Sequence, residues 1–190
     1  DSLRVKPFQL KEYPGVTLRG HWSKVRFGTT EGFVFDAYLS RYPARRILDN
    51  KHQELEDFTV YAAREFGLVK KEKLELKSNK ACTDCRDYRE IYTFRKGVVY
   101  ELQHGSNDGG WEVPNYLIPG LSFEEAFIGF MYNVDFYLFA HRQNKPGAST
   151  EATGFILRES AGRKELIWDT CTYTFEKKEK KMRIWVLCSC

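Results

Sequence analysis

Apolar and polar positions alternate in short runs at the start of the chain, at 16–18, at 22–27 and again at 32–35. A period of two marks a strand buried on one face, so three short strands are expected there. The polar stretch Gly28-Thr29-Thr30-Glu31 between the last two has the length of a hairpin loop. Periodicity then stops in the basic run Arg41-Tyr42-Pro43-Ala44-Arg45-Arg46, where proline punctuates the chain. That run divides an opening segment, 1–43, from a longer one, 47–190.

From Asp49 the spacing becomes helical. Leu55, Phe58, Ala62 and Phe66 fall on one face, Lys51, Glu54, Asp57 and Arg64 largely elsewhere, and Gly67 is a natural stop. A Lys- and Glu-rich passage follows without a clear period. Alternation then returns, with Tyr88, Glu90, Tyr92 and Phe94 on one face and Arg89, Ile91, Thr93 and Arg95 on the other. Lys96-Gly97 turns the chain into a strand at 98–103, and the glycine-rich stretch 105–110 reads as a loop. Ser122 followed by Glu125 is a capping box ahead of Phe127, Ile128 and Met131, with Leu121 bracing the entry. Strands are expected at 134–140, 154–158, 165–175 and 182–187, with turns at 160–162 and within 176–181. Antiparallel hairpins with two helices against them make 47–190 an α+β domain in a β-rich chain. No internal repeat is visible.

Composition agrees with this reading. Aromatic residues make up 15% of 190 residues, and large rings favour pleated, half-buried surfaces. A chain of this length supports one ample core or two modest ones. Charged residues, 29% of the total, mix both signs and leave a net charge of only +4. That suits a solvated surface and argues against a nucleic-acid partner. No stretch approaches the roughly 18 to 20 apolar residues of a membrane span. The first residues, 1–11, are too polar for a signal peptide, so any leader would have been removed.

Within the opening segment, Gly20-His21-Trp22-Ser23-Lys24-Val25-Arg26 precedes Glu31-Gly32-Phe33-Val34 and then Ala37-Tyr38-Leu39. A tryptophan strand written W-x-K-V, a short turn, a glycine-aromatic-valine strand and a closing tyrosine-leucine pair stand here in order. Over about 16–42 the chain resembles a bacterial SH3 domain. The resemblance implies a small SH3-like β-barrel ahead of the α+β domain, in a protein of the periplasm or cell surface, with a lipid anchor as one possible attachment. It also implies that the barrel binds cell-wall peptide or docks against a protein partner. Carried over residue by residue, Trp22, Phe33 and Tyr38 would line a shallow ligand groove. Packing inside the barrel is the competing role for the same rings.

Five cysteines, Cys82, Cys85, Cys171, Cys188 and Cys190, are crowded into the second half. In an oxidising compartment they suggest two disulfides and a spare thiol. A tight turn at Glu179-Lys180 would set Cys171 opposite Cys188, close enough to bridge. In a reducing compartment Cys82, Cys85, Cys188 and Cys190 would instead form a four-thiolate zinc set. A redox role for Cys82-Thr83-Asp84-Cys85 needs the first sulfur at a helix N-terminus, whereas a strand pattern follows.

Bacterial SH3 modules also accompany cysteine peptidases of the cell wall, which makes Cys85 with His104 or His141 a nucleophile–base candidate. That family's cysteine stands in Asp-Cys-Ser-Gly at a helix start, whereas Arg86-Asp87-Tyr88 follows here. His104 and His141 otherwise read as undistinguished positions at a loop and a strand end. Glu124 and Glu125 suit a helix N-terminus. The loop 105–110 lacks the features of a phosphate cradle, and Lys177, Lys178, Lys180 and Lys181 form a solvated tip. The expectation is a non-catalytic envelope binding or interaction module without a cofactor. A divergent cell-wall cysteine hydrolase and a zinc-stabilised scaffold are the alternatives.

Overall fold

The computed structural model describes residues 3–4, 8–9, 17–43, 45–49, 54–76, 87–105, 110–131, 156–168 and 171–188. Two short strands that the opening alternation did not predict come first, β1 (Leu3–Arg4) and β2 (Phe8–Gln9), and the alternation itself forms β3 (Thr17–Leu18), β4 (His21–Phe27) and β5 (Thr30–Phe35). β4 lies between β1 and β5 in an antiparallel three-stranded sheet, and β2 pairs with β3. Thr30 and Glu31 join the ladder, opposite Phe27 and Arg26, so the hairpin turns on Gly28-Thr29 and not on four residues. Among the described residues no sheet closes into a barrel; where a small barrel is expected for 1–43, the sheet is open.

Next come β6 (Ile47–Asp49), β7 (Glu54–Leu55) and α1 (Phe58–Phe66). The helix begins later than its periodicity suggests because Asp57 caps it, accepting from the backbone N–H groups of Thr59 at 2.7 Å and Val60 at 3.4 Å. Residues 47–49 and 54–55 instead pair with each other as strands. Gly67 ends the helix as expected, at a φ of 73° that an L side chain rarely adopts.

The chain continues through β8 (Leu68–Glu75), β9 (Tyr88–Phe94), β10 (Val99–Gly105), β11 (Trp111–Pro119) and α2 (Phe123–Met131). It ends in β12 (Ile156–Ser160), β13 (Arg163–Trp168), β14 (Cys171–Lys178) and β15 (Lys181–Cys188). β8 lies in the Lys- and Glu-rich passage, and neither it nor β11 is marked by clean alternation. The single strand expected at 165–175 is two, with Trp168 opposite Cys171. The strand expected at 134–140 lies outside the described residues. The capping box of α2 forms as expected: the Ser122 N–H donates to the Glu125 carboxylate, and the Glu125 N–H to the Ser122 hydroxyl, both at 3.0 Å.

Among the described residues a helix followed by four antiparallel strands thus occurs twice. The two meanders join at their last strands, giving one eight-stranded sheet in the order β12-β13-β14-β15-β11-β10-β9-β8. β11 and β15 run antiparallel at this seam, with Asn115 opposite Trp185 and Ile118 opposite Met182. No repeat is visible in the sequence because what recurs is the topology, not the residues.

Both helices cover the same sheet face. Under α1 lie Phe94, Val98 and Tyr100, packed with Phe58, Tyr61 and Phe66. Under α2 lie Leu166, Tyr173, Phe175, Met182 and Ile184, packed with Phe127 and with Phe35 and Ala37 of the opening segment. The basic run between the segments is tied to both halves. Arg41 pairs with Glu125 at 3.1 Å, Tyr42 donates to the Pro119 carbonyl at 3.2 Å, and Arg45 donates to the Glu56 carbonyl.

Candidate functional site

Because strand side chains alternate, the residues between those of the core point to the opposite sheet face. No described element covers that face. Around the seam it carries Arg89 from β9, Glu101 and Gln103 from β10, Val113 and Asn115 from β11, and Arg183 and Trp185 from β15, lining a hollow of about 290 Å³. Cross-strand register brings them together: Arg89 opposes Gln103, Gln103 opposes Val113, and Asn115 opposes Trp185.

Two arginines of the hollow differ in their partners. The Arg89 Nε lies 3.0 Å from the Glu101 carboxylate, a charge pair on neighbouring strands. Arg183 donates through Nε to the Asn115 side-chain oxygen at 3.2 Å, a neutral acceptor. Trp185 receives two guanidinium groups, with the carbon of Arg183 4.8 Å and that of Arg163 5.3 Å from a ring centroid. Arg163 also pairs with Glu165. At the end of the same face Trp111 lies across Gly105, where any Cβ would collide with the indole. A planar aromatic flanked by guanidinium and amide groups suits recognition of polar, partly planar ligands.

The three aromatic residues expected to bind ligand are placed differently. Trp22, Lys24, Phe33 and Phe35 share one face of the β4–β5 hairpin, since Trp22 opposes Phe35 and Lys24 opposes Phe33. Trp22 is half-buried, 5.8 Å from the Phe35 ring and packed against the core under α2. Phe33 is 53% exposed. The side chain of Tyr38, at the end of the 3-10 turn Asp36–Tyr38, lies outside the described residues.

Cys171 and Cys188 form a disulfide between facing positions of β14 and β15, their Cα atoms 4.0 Å apart, with the turn at Glu179-Lys180 as expected. This bond occupies one of the four sulfurs that the zinc arrangement requires. It fits an oxidising, extracellular setting. Cys82, Cys85, Cys190 and His141 lie outside the described residues. His104 belongs to β10 and not to the adjoining loop; its Nδ1 is 2.9 Å from Glu112 and its ring stacks on Tyr88 at 4.3 Å. Among the described residues no three His, Cys, Asp or Glu side chains converge as metal ligands, and no helix is long and apolar enough to cross a membrane.

Sequence reasoning missed the hollow. One signal was present, since Arg183 and Trp185 alternate with the apolar Met182 and Ile184. Without β11, however, nothing aligned Trp185 with Asn115. Comparison of the chain with family models, curated proteins and solved structures finds no match in any of the three.

Proposed function

We propose that the chain is a non-catalytic binding or interaction module of the cell envelope, its opening segment an SH3-like unit and its duplicated sheet a second recognition surface. The carrying observation is the sheet face that no described element covers, where Trp185, two amide side chains and Arg183 line a polar hollow. Such a surface offers hydrogen bonds and a flat apolar wall, which is what a peptide or sugar of the wall requires. The Cys171–Cys188 disulfide supports an oxidising compartment such as the periplasm or cell surface. Exposed Phe33 beside Lys24, with the SH3-like residue pattern, supports a further contact with wall peptide or a protein partner. Co-sedimentation with purified, protein-free cell walls tests this reading. The expected result is that the protein pellets with the wall and releases no soluble fragments. Failure to pellet, or fragment release lost on Cys85→Ala, overturns it.

A further inference from the structure

The geometry points to the seam hollow as the site for the end of a short peptide carrying a free carboxylate, with Arg183 as the fork that grips it. This rests on the envelope-binding reading and specifies its ligand. Of the three charged groups in the hollow, Arg89 and Glu101 pair with each other. Arg183 makes no ion pair among the described residues, although Glu176 stands opposite it on β14. Asn115 engages only its Nε, leaving the terminal nitrogens of the guanidinium to a ligand. A guanidinium binds a carboxylate through two parallel N–H bonds, which orients the anion as well as attracting it. The Trp185 ring, 4.8 Å from the Arg183 carbon, holds the guanidinium stem and reduces the ordering cost of binding.

The other lining groups match the remainder of a peptide. Gln103 and Asn115 each present an amide that both donates and accepts, the same pairing a peptide unit offers. Val113 and the Trp185 edge supply an apolar wall for a small side chain. At about 290 Å³ the hollow falls just below the range of ligand sites, which starts at about 300 Å³, so it admits no more than a residue or two of a chain end. A multiply charged phosphate is disfavoured because, among the described residues, Arg183 alone of the lining cations makes no ion pair, and Glu101 in the hollow and Glu176 beside it are both anionic.

The test titrates the full chain with N-acetyl-lysyl-D-alanyl-D-alanine and with its C-terminal amide, read by calorimetry and amide chemical shifts. The acid is expected to bind, with shifts at Gln103, Asn115 and Trp185, and the amide to bind about tenfold or more weakly. Arg183→Met, which keeps the aliphatic stem, should produce a similar loss for the acid, while Arg183→Lys retains part of the affinity. If Arg183→Met does not fold, the acid-against-amide ratio on the unaltered chain decides. Equal binding of both forms, or an unchanged affinity in Arg183→Met, overturns the assignment. Absence of peptide binding while walls still pellet the protein overturns the hollow's role alone; absence of both removes the envelope reading as well.

Discussion

The two halves of the eight-stranded sheet share an element order but are held together differently. The first half, α1 with β8 to β11, has a core rich in phenols: Tyr61 and Tyr100 are buried with Phe58, Phe66 and Phe94, and Tyr92 and Tyr116 pack beside them. Burial pushes the Tyr61 and Tyr116 hydroxyls up to about 12, and that of Tyr100 higher still. Polar groups therefore penetrate this core, and the buried Glu56 is met by Arg64 at 3.2 Å. In the second half, α2 covers a mostly hydrocarbon core, Phe35 and Ala37 close one side, and a disulfide ties β14 to β15. Topology thus specifies which faces must be covered, while the covering is met by aromatic polar packing in one half and by apolar packing plus a covalent tie in the other.

Core truncation tests that contrast most severely. Phe175→Ala in the second half and Phe94→Ala in the first should each cost about 3–5 kcal/mol, since both rings are fully buried. Because the halves share one sheet, both variants should lower the midpoint of a single denaturant transition. Two separated transitions would break the pairing and show that the halves melt independently.

Replacing Cys171 and Cys188 together with alanine should cost about 3 kcal/mol, given a sequence separation of 17. Amide exchange should accelerate mainly in β14 and β15. Equal acceleration across β9 and β10 would mean that the tie serves the whole sheet and not one half.

Helix caps give the smallest expected effect and act in both halves. Burial pushes the Asp57 carboxyl up, but hydrogen bonds from Thr59 and Val60 outweigh it and hold the group below its ordinary 3.8. Burial likewise opposes Glu125, which the Ser122 amide and Arg41 hold below its ordinary 4.5. A folded carboxyl with a depressed pKa stabilises above the unfolded value and loses that contribution as pH falls through the folded one. Stability should therefore decline on acidification below those ordinary values, and Asp57→Ala or Glu125→Gln should each flatten part of the decline. At neutral pH Asp57→Ala should cost about 1 kcal/mol. A melting temperature that falls equally steeply with acid in both variants would remove the caps as its source.

Much of this architecture is legible along the chain where its cause is local. Ser122 and Glu125 announce α2 because each satisfies the other's exposed backbone donor. Asp57 was legible only as a polar residue off the helical face, and the apolar spacing from Leu55 concealed that the helix starts after it. β11 escaped notice because Pro114 and Asn115 interrupt its alternation, although the strand lies inside the sheet with partners on both sides. β8 escaped because it is an edge strand of mostly exposed lysine and glutamate, the composition that blunts an edge against further pairing.

By itself the sequence determined the period of the cleanly alternating strands, the stop of α1 at Gly67, the capped start of α2, and the turn that sets Cys171 against Cys188. Each of these depends on residues close in the chain. Only the tertiary structure decided that β11 meets β15, that both helices choose the same face, and that Arg89, Gln103, Asn115, Arg183 and Trp185 share one hollow. Pairing between distant strands is set by the summed burial of the faces they jointly cover, a quantity that no single stretch of sequence carries.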